Sequence, residues 1–474
     1  MSTQNKDRQD RPSRGYAPSR SPLIRLYGML TWLAQPLLRR KLRRRARAEP
    51  GYAVAVPERF GYYADAPEQA SAVPWCWIHA VSLGEARAAG ILIAALRRQN
   101  PDWRFLLTHG TATGRAEGAK LLREGDCQVW QPWDTPGAVR RFLDHFAPRI
   151  GVLMETEVWP ALSTACAERG IPLVLANARL SPRSFARIRQ LAWLARPIYA
   201  SLAAAWAQTG VDALRLAVAG AKVGGVYGNL KFDATPDPSQ LACAAALRAK
   251  LRWPVIMLAS SREGEEQQLL DVIKRHREGL ALPLPDGLGQ ERSSSVPRFE
   301  EVQWLIVPRH PQRFDAVAAL IEEAGFTVLR RSAGLPDRPD APEHAPPAIW
   351  LGDSLGEMAL YYGVSSVALL GGSFEPLGGQ NLIEAAACGC PVLMGRSTFN
   401  FAEAAELALE AGAALRVDDM AQAAAGALVL LADSARREAM VEAARAFACA
   451  HRGAAARTAA AIADVAAGRP VASL

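Results

Sequence analysis

The stretch 366–384, SVALLGGSFEPLGGQNLIE, contains the parts of one β–turn–α unit. An apolar segment is followed by four glycines, which permit tight turns and close approach of a ligand, and a helix is predicted from about Asn381. The amino terminus of a helix suits a phosphate because its first N–H groups lack helical partners, and Glu384 could accept hydrogen bonds from a sugar or ribose hydroxyl. We therefore predict a phosphate-binding turn, although a plain strand-to-helix turn would have the same pattern.

The whole chain alternates such short apolar segments with helical patterns, which is typical of buried parallel strands in an α/β protein. The predicted strands are 75–80, 104–109, 150–155, 172–177, 203–208 and 223–228, then 254–260, 303–309, 326–331, 348–353, 366–372 and 391–395. A Pro- and Asp-rich linker at 228–238 separates the two series, and a Pro-, Gly- and Ser-rich stretch at 279–296 is predicted to be an exposed insertion. We predict two facing, Rossmann-like, doubly wound domains at 49–233 and 234–474, with ligands in the cleft between them, beyond the carboxyl ends of the strands.

Composition limits the classes of function. A chain of 474 residues, half of them hydrophobic, suits two domains with large cores. The formal net charge is +8, but seven cations lie between Arg39 and Arg47, so the rest of the chain is close to neutral and nucleic-acid binding is not expected. Seven cysteines without a CxxC pair, and histidines without metal-ligand spacing, predict no disulfide framework, no metal site and a reducing cytoplasm.

The amino-terminal end is predicted to contact a membrane. Residues 1–21 are polar, basic and predicted to be disordered. Residues 22–48 join an apolar segment to the basic cluster, and the apolar part falls short of the roughly 20 residues that a spanning helix needs. We expect a helix that lies in the headgroup layer of an anionic leaflet. The alternatives are a single-pass anchor and a helix packed on the body with a solvated basic end.

Polar residues follow two predicted strands of the second half. Arg309 comes directly after Pro308 and could form a forked pair with phosphate oxygens, unless it is a surface arginine in an ion pair. The segment 355–357, Leu-Gly-Glu, starts a helix whose backbone amides could bind a nucleotide base or phosphate, although capping alone would also explain it. No GxGxxG or Walker pattern accompanies these residues, which disfavours a dehydrogenase.

Acidic and hydroxyl-bearing residues follow the strands of the first half. Glu85 could take a proton from an attacking hydroxyl, or could simply favour the helix dipole near a helix start. Glu155 and Glu157 would project the same way if their strand persists. The loop 108–114, THGTATG, could contact sugar hydroxyls. Lys231 in the linker could bring positive charge to a leaving phosphate, although a solvated linker lysine is the more frequent outcome.

Ten ordered motifs, from about residue 26 to 450, together resemble the 3-deoxy-D-manno-octulosonic acid (Kdo) transferases of lipid A assembly. They are HAVSLGE (79–85), THGTATG (108–114), METEVWP (154–160), LANARLS (175–181), GNLKFD (228–233), EGEE (263–266), VPRHPQRF (307–314), GDSLGE (352–357), GGSFEPLGGQN (371–381) and TFNF (398–401). The amino-terminal apolar and basic stretch also looks like that family's membrane anchor. The sequence departs from the family at Gln380, where His is frequent, at Ser261-Arg262 and at 395–397.

The resemblance implies a GT-B fold and transfer of Kdo from CMP-Kdo to a lipid A precursor at the inner leaflet, with inversion and without a metal or other cofactor. It implies that Glu85 is the general base and that Glu155 and Lys231 stabilise the transition state. It assigns CMP binding to Pro308, Arg309, Leu355, Gly356, Glu357, Asn381, Leu382, Ile383 and Glu384. We expect a monomer, attached to the cytoplasmic side of the cell inner membrane.

Two other classes of function remain open from the residues. One keeps the fold and changes the reaction, as in a sugar-nucleotide epimerase or a different GT-B transferase; the membrane-like amino terminus argues against a soluble epimerase. The other is a lipid-surface binding protein without catalysis, against which the intact Glu85, Arg309 and Glu384 argue.

Overall fold

A computed structural model describes residues 22–63, 74–285, 296–334 and 348–471, without the side chains of 22–25 and 299. It divides into two units, the first made of Met1–Asp233 and Gly453–Leu474 and the second of Ala234–Arg452. The tail predicted to be disordered, 1–21, lies outside the described residues, as does the middle of the predicted insertion at 279–296.

The first unit is built on a seven-stranded parallel sheet with the order β3-β2-β1-β4-β5-β6-β7. Its strands are β1 (Trp75–His79), β2 (Arg104–His109), β3 (Cys127–Trp130), β4 (Ile150–Met154), β5 (Leu173–Ala178), β6 (Ala204–Ala207) and β7 (Val223–Val226). Alternate residues of β1 enter two apolar layers: Trp77 lies against Phe142 in one, and Ile78 lies with Leu92 in the other. Because both faces of the sheet are covered, its strands are apolar throughout, as the sequence pattern predicted.

Among the described residues of this unit, nine α-helices precede the linker. They are α1 (Pro22–Leu33), α2 (Gln35–Ala48), α3 (Leu83–Gln99), α4 (Ala112–Ala119), α5 (Pro136–Phe146), α6 (Pro160–Glu168), α7 (Pro182–Gln190), α8 (Ala192–Ala200) and α9 (Gly210–Ala219). Several begin at a side chain that accepts a hydrogen bond from the first turn, such as Ser82 before α3 and Thr111 before α4. These caps fix where each helix starts, and therefore which residues stand at the carboxyl ends of the strands.

The second unit has its own seven-stranded parallel sheet, with the order β10-β11-β9-β8-β12-β13-β14. Its strands are β8 (Val255–Ser261), β9 (Gln303–Pro308), β10 (Val328–Arg330), β11 (Ile349–Leu351), β12 (Val367–Leu370), β13 (Val392–Met394) and β14 (Ala414–Arg416). Its helices are α10 (Pro238–Arg248), α11 (Glu265–Arg277), α12 (Phe314–Glu323), α13 (Met358–Val364), α14 (Leu382–Ala387), α15 (Ala402–Glu410), α16 (Met420–Ala432) and α17 (Ser434–Ala450). In both units the strand order reverses beside the first strand, which places a ligand-binding crevice at the carboxyl ends.

All twelve predicted strands form, and the part of the chain that the structure describes contains two further strands that were not predicted. The missed strands, β3 and β14, have four and three residues and lie at sheet edges. An edge strand has one neighbour and is less buried, so its sequence lacks the continuous apolar pattern of a central strand.

The end of the chain does not belong to the unit that precedes it. A last helix, α18 (Ala454–Ala466), packs Ala455, Ala459 and Ile462 into the apolar layer of the first unit that also holds α3. The carboxylate of Asp233 accepts the N–H groups of Gly453 at 2.5 Å and Ala455 at 2.6 Å, at the start of this helix. The predicted second domain, 234–474, therefore ends earlier, because the apolar face of α18 completes the first core.

The amino-terminal segment forms two helices that are broken at Ala34. Helix α1 contacts the first unit through Tyr27, whose hydroxyl donates to Asp134 Oδ2 at 2.8 Å, and through Gly28, which lies against Pro136. From Leu26 onward, its other large side chains are exposed, as is much of α2. Within the described residues, no helix has both the length and the apolar character needed to cross a bilayer.

Candidate functional site

Glu85 lies in the first turn of α3, just beyond the carboxyl end of β1. Its Oε2 accepts the Val81 N–H at 2.9 Å, and its Oε1 accepts the Ser82 hydroxyl at 3.0 Å. Ser82 Oγ in turn accepts the Glu85 N–H at 3.4 Å, so the two side chains cap the helix reciprocally. The half-buried carboxylate is thus held in one orientation by two donors.

The surroundings of Glu85 raise its pKa from 4.5 to about 7. Burial is the largest cause; the charges of Glu155 and Glu157 add to it, and the donors Val81 and Ser82 oppose it. A carboxylate with a pKa near the working pH can both accept and release a proton, which is the property of a general base. A Glu that served only as a helix cap would not need this environment.

Glu155 follows β4 and has a left-handed backbone, with φ of 57°. Such a conformation is rare for glutamate and is found preferentially at functional sites. The carboxylate lies beside two cations: Lys231 Nζ is 3.8 Å from Oε1, and Arg179 Nε is 3.5 Å from Oε2. Two predicted residues, Glu155 and Lys231, are therefore brought together, and Arg179 is a neighbour that the sequence did not indicate.

Two expectations for this edge of the sheet need correction. The strand ends at Met154, so Glu155 and Glu157 do not alternate along an extended backbone, and the geometric reason to pair them fails. In the loop 108–114, Thr108 is fully buried and its hydroxyl accepts the Trp77 indole N–H at 2.8 Å. Thr108 supports the sheet from inside, and it is not available to a sugar.

In the second unit, Arg309 follows β9 and is half-buried. Its N–H donates to the Ser261 carbonyl at 3.0 Å, and its Nε donates to Gln380 Oε1 at 3.2 Å. Gln380, one of the departures from the family pattern, therefore orients the guanidinium that was predicted to bind phosphate. Pro308 is the last residue of β9 and is buried.

The glycine-rich turn after β12 is shaped by a carboxylate from a distant segment. Glu265 is fully buried and accepts the N–H groups of Gly372 at 2.7 Å and Phe374 at 3.1 Å. Burial raises the pKa of this carboxyl group, while the N–H donors lower it. These two amides already bond to a protein carboxylate, so the phosphate-binding part of the predicted turn narrows to its later residues, near α14.

Helix α14 is capped by Asn381, whose Oδ1 accepts the Ile383 N–H at 3.2 Å. The side chains of Leu382 and Ile383 are buried, so only their main chains could reach a ligand. Glu384 is half-buried within the same helix. The sequence placed these residues correctly on one short helix, and their binding of CMP remains a prediction.

The segment 355–357 forms a turn before α13. Leu355 is 71% exposed, and Gly356 has a left-handed φ of 82°. The Glu357 carboxylate accepts from Arg331 at 2.9 Å and from the Ser354 hydroxyl. Arg331 was not recognised in the sequence because it comes from the turn after β10.

The EGEE motif at 263–266 supplies a second buried carboxylate. Arg313 donates two hydrogen bonds to Glu266, at 2.6 and 3.1 Å, and the Ser261 hydroxyl donates a third at 2.7 Å. This forked pair ties α11 to the segment after β9. Among the described residues, no group of three or more His, Cys, Asp or Glu could hold a metal ion.

Comparisons with known proteins agree on one family. A family model described as 3-deoxy-D-manno-octulosonic-acid transferase (kdotransferase) matches residues 55–234. A 3-deoxy-D-manno-octulosonic acid transferase of Bordetella pertussis is 45% identical over 439 residues, covering 90% of this chain and 96% of that protein. The transferase of the same name from Haemophilus influenzae is 32% identical and covers 86% of this chain and 90% of its own length.

A solved structure agrees on the fold. The crystal structure of a glycosyltransferase from Rickettsia africae superposes with a TM-score of 0.50 at 13% identity, and the match covers 84% of this chain and 99% of that one. At this identity the likeness concerns the fold alone, which is two Rossmann-like parallel sheets of the GT-B class. With 45% identity along nearly its whole length to one Kdo transferase, the chain belongs to the Kdo transferase family and is a glycosyltransferase.

Proposed function

We propose that this enzyme transfers Kdo from CMP-Kdo to a lipid A precursor, with inversion and without a metal, at the cytoplasmic face of the inner membrane. The observation that carries the proposal is Glu85, a carboxylate fixed by two donors with a pKa near 7. Family membership supplies the transferred sugar.

The proposed reaction is a single displacement. The acceptor hydroxyl attacks the anomeric carbon of Kdo while its proton passes to the Glu85 carboxylate. The bond from that carbon to the CMP phosphate oxygen breaks, and its electron pair leaves with CMP. In such a step a positioned base contributes about 10²–10⁴-fold to the rate.

The leaving group and the transition state need positive charge. Arg309, oriented by Gln380, is proposed to pair with the CMP phosphate, together with the main chain of Asn381, Leu382 and Ile383. Lys231, held beside Glu155, is proposed to stabilise charge at the reacting carbon. Cations in these positions allow CMP to leave without a metal ion.

We test the reaction with purified enzyme, CMP-Kdo and a tetra-acylated disaccharide lipid A precursor. CMP release should equal the Kdo-lipid product counted by mass spectrometry. Glu85→Gln should lose most turnover while it binds CMP normally, because the substitution keeps the shape and removes the base. Two results contradict the proposal: turnover of Glu85→Gln near that of the parent enzyme, or CMP release without a Kdo-lipid product. Exchanging CMP-Kdo for a UDP-sugar tests the alternative of a different GT-B enzyme.

The membrane surface is a second part of the proposal, and α1 and α2 support it. Large apolar side chains on these helices are exposed: Leu26, Met29, Leu30, Trp32, Leu33 and Leu37. Seven cations follow on α2, and each near an anionic surface contributes about 1 kcal/mol. Helix α1 has 12 residues and contacts the first unit through Tyr27, so we propose that it lies within the headgroup layer.

Liposome sedimentation tests this attachment with substitutions of exposed apolar residues, one on α1 and one on α2. Trp32→Ser with Leu37→Ser should weaken binding to anionic vesicles more than turnover on a detergent-dispersed acceptor. The matched control is Leu214→Ser on α9, which removes an apolar side chain that is 71% exposed elsewhere on the same unit. Equal vesicle binding by the double variant and the control would contradict the proposal.

A further inference from the structure

Asn177 has an unusual place in the first unit. It lies within β5, is 2% exposed, and has a left-handed backbone with φ of 51°. Its Nδ2 has no hydrogen-bond partner among the described residues, although it is buried. A buried amide group that leaves a donor unsatisfied carries a free-energy penalty, and such exceptions call for a physical reason.

The other end of the Asn177 side chain holds the segment that carries Lys231. Asn177 Oδ1 accepts the Leu230 N–H at 3.0 Å, within the buried interior. Leu230 begins a short 3-10 turn, Leu230–Asp233, and is itself fully buried. The side chain of Gln208, the residue after β6, donates to the Asn177 carbonyl at 2.9 Å and so also fixes the main chain of Asn177. Lys231 therefore directly follows a residue, Leu230, whose main chain is held by a buried hydrogen bond.

Asn177 and Glu155 occupy equivalent places on neighbouring strands. Met154 and Ala176 are register partners in β4 and β5, and the residue after each partner adopts the left-handed conformation. The turn anchored by Asn177 brings Lys231 Nζ to 3.8 Å from Glu155 Oε1. Two uncommon backbone conformations therefore occur side by side, where one lysine meets one carboxylate.

We propose that Asn177 is a positioning residue for transfer: it holds Lys231 beside Glu155 and thereby sets the charge near Glu85. This inference rests on the proposed roles of those three residues. Asparagine suits the place because it tolerates a left-handed backbone and offers an acceptor without charge. Aspartate would add a negative charge next to Glu155, and glycine would supply no acceptor.

The charged groups around Glu85 make the proposal measurable. Glu155 and Glu157, after β4, raise the pKa of Glu85, and Lys231 and Arg179 are paired with Glu155. If Lys231 moves away, the charge of Glu155 is less compensated, and the pKa of Glu85 should rise further. The acid limb of kcat/KM should then shift to higher pH, which a purely structural role of Asn177 would not cause.

The experiment compares Asn177→Gly, Lys231→Met and the double variant in the full-length enzyme. Glycine accepts the left-handed backbone but removes the whole side chain, including the acceptor for the Leu230 N–H, so kcat should fall about 10–100-fold through misplacement of Lys231. KM for CMP-Kdo should change less than about twofold, because donor binding is assigned to the other unit. The double variant should be no slower than Lys231→Met, since both changes remove one interaction.

Two controls accompany these variants. Asn177→Asp keeps an acceptor for the Leu230 N–H but adds a negative charge near Glu155, so it should retain more of kcat than Asn177→Gly on the alkaline plateau and should also shift the acid limb to higher pH. Ala147→Gly relaxes another left-handed residue of the same unit, at the end of α5, and should leave all parameters unchanged.

The outcomes distinguish the role of Asn177 from that of Lys231. The positioning role would be overturned if the loss of kcat in the double variant equalled the product of the two single losses. It would also be overturned if the acid limb of kcat/KM did not shift in Asn177→Gly. Full activity of Lys231→Met would instead remove the role proposed for Lys231 itself. Impaired Lys231→Met with unimpaired Asn177→Gly would leave the proposed reaction intact and refute only the inference about Asn177.

Discussion

The pH dependence of transfer is the most direct consequence of the environment of Glu85. Its pKa is raised from 4.5 to about 7, so ionising it in the folded protein costs about 3 kcal/mol relative to the unfolded chain. Burial is the largest cause of the raised pKa, the charges of Glu155 and Glu157 add to it, and the hydrogen bonds from Val81 and Ser82 oppose it. A base that must be ionised should make kcat/KM fall about tenfold for each pH unit below 7 and level off above it.

Two substitutions identify the titrating group. In Glu85→Gln the acid limb should disappear, together with about 10²–10⁴-fold of the rate. In Glu155→Gln the limb should move to lower pH, because removing that neighbouring negative charge makes Glu85 easier to ionise. The assay is CMP release at limiting CMP-Kdo, from pH 5 to pH 9, with detergent-dispersed acceptor so that vesicle charge does not vary.

The same shift has a consequence for stability. Between about pH 4.5 and 7 the folded state holds a proton that the unfolded chain has released, so stability falls as pH rises through this window. Glu85→Gln should therefore match the parent enzyme near pH 4 and exceed its stability by up to about 3 kcal/mol at pH 8. An acid limb near 4.5, or equal stability at pH 8, would refute the reasoning about Glu85.

Other predictions concern the second unit and the end of the chain. Glu265→Gln replaces one acceptor oxygen by an NH2 group that faces backbone donors, so the KM for CMP-Kdo should rise about tenfold, measured by initial rates, with little change in kcat. Gly371→Ala makes a Cβ clash with the Ser260 carbonyl oxygen, and thermal unfolding should show a loss of about 1–3 kcal/mol. Removal of 453–474 exposes the apolar layer that α18 covers, and the truncated protein should be found in aggregates by size-exclusion chromatography.

Much of the fold could be predicted because buried parallel strands have a strong local signal. Central strands such as β1 and β8 are apolar along their length, and every one of that kind was found. The edge strands β3 and β14 were missed because exposure on one side permits residues such as Gln128 and Arg416. The destination of α18 also could not be predicted, because an Ala-rich helix could pack on either unit.

Only those residues of the candidate site that follow a strand could be predicted from the sequence. Glu85, Glu155 and Arg309 each follow a strand, and that position can be read from the sequence. Their partners cannot, since Lys231 approaches Glu155 across two strands of the sheet and Gln380 meets Arg309 from 71 residues away. Such contacts depend on the tertiary fold.

The glycine-rich turn shows how a local pattern can mislead in part. Its glycines are needed, since Gly371 lies against the Ser260 carbonyl and Gly372 has a left-handed backbone. However, two of the amides that would suit a phosphate bond to Glu265, which lies 107 residues away from Gly372. The Glu265 carboxylate accepts hydrogen bonds from amides that the glycine-rich pattern had suggested for a phosphate.

The return of α18 to the first unit affects the order in which the protein can be made. During synthesis the second unit, 234–452, leaves the ribosome complete, whereas the first still lacks the helix that covers Leu92 and Leu96. Domains usually fold in the order of synthesis, but here the later unit can finish first. Until α18 emerges, the apolar layer of the first unit is uncovered and the Asp233 carboxylate lacks the N–H groups of Gly453 and Ala455. This enzyme should therefore depend on chaperones more than an enzyme whose domains are continuous in sequence.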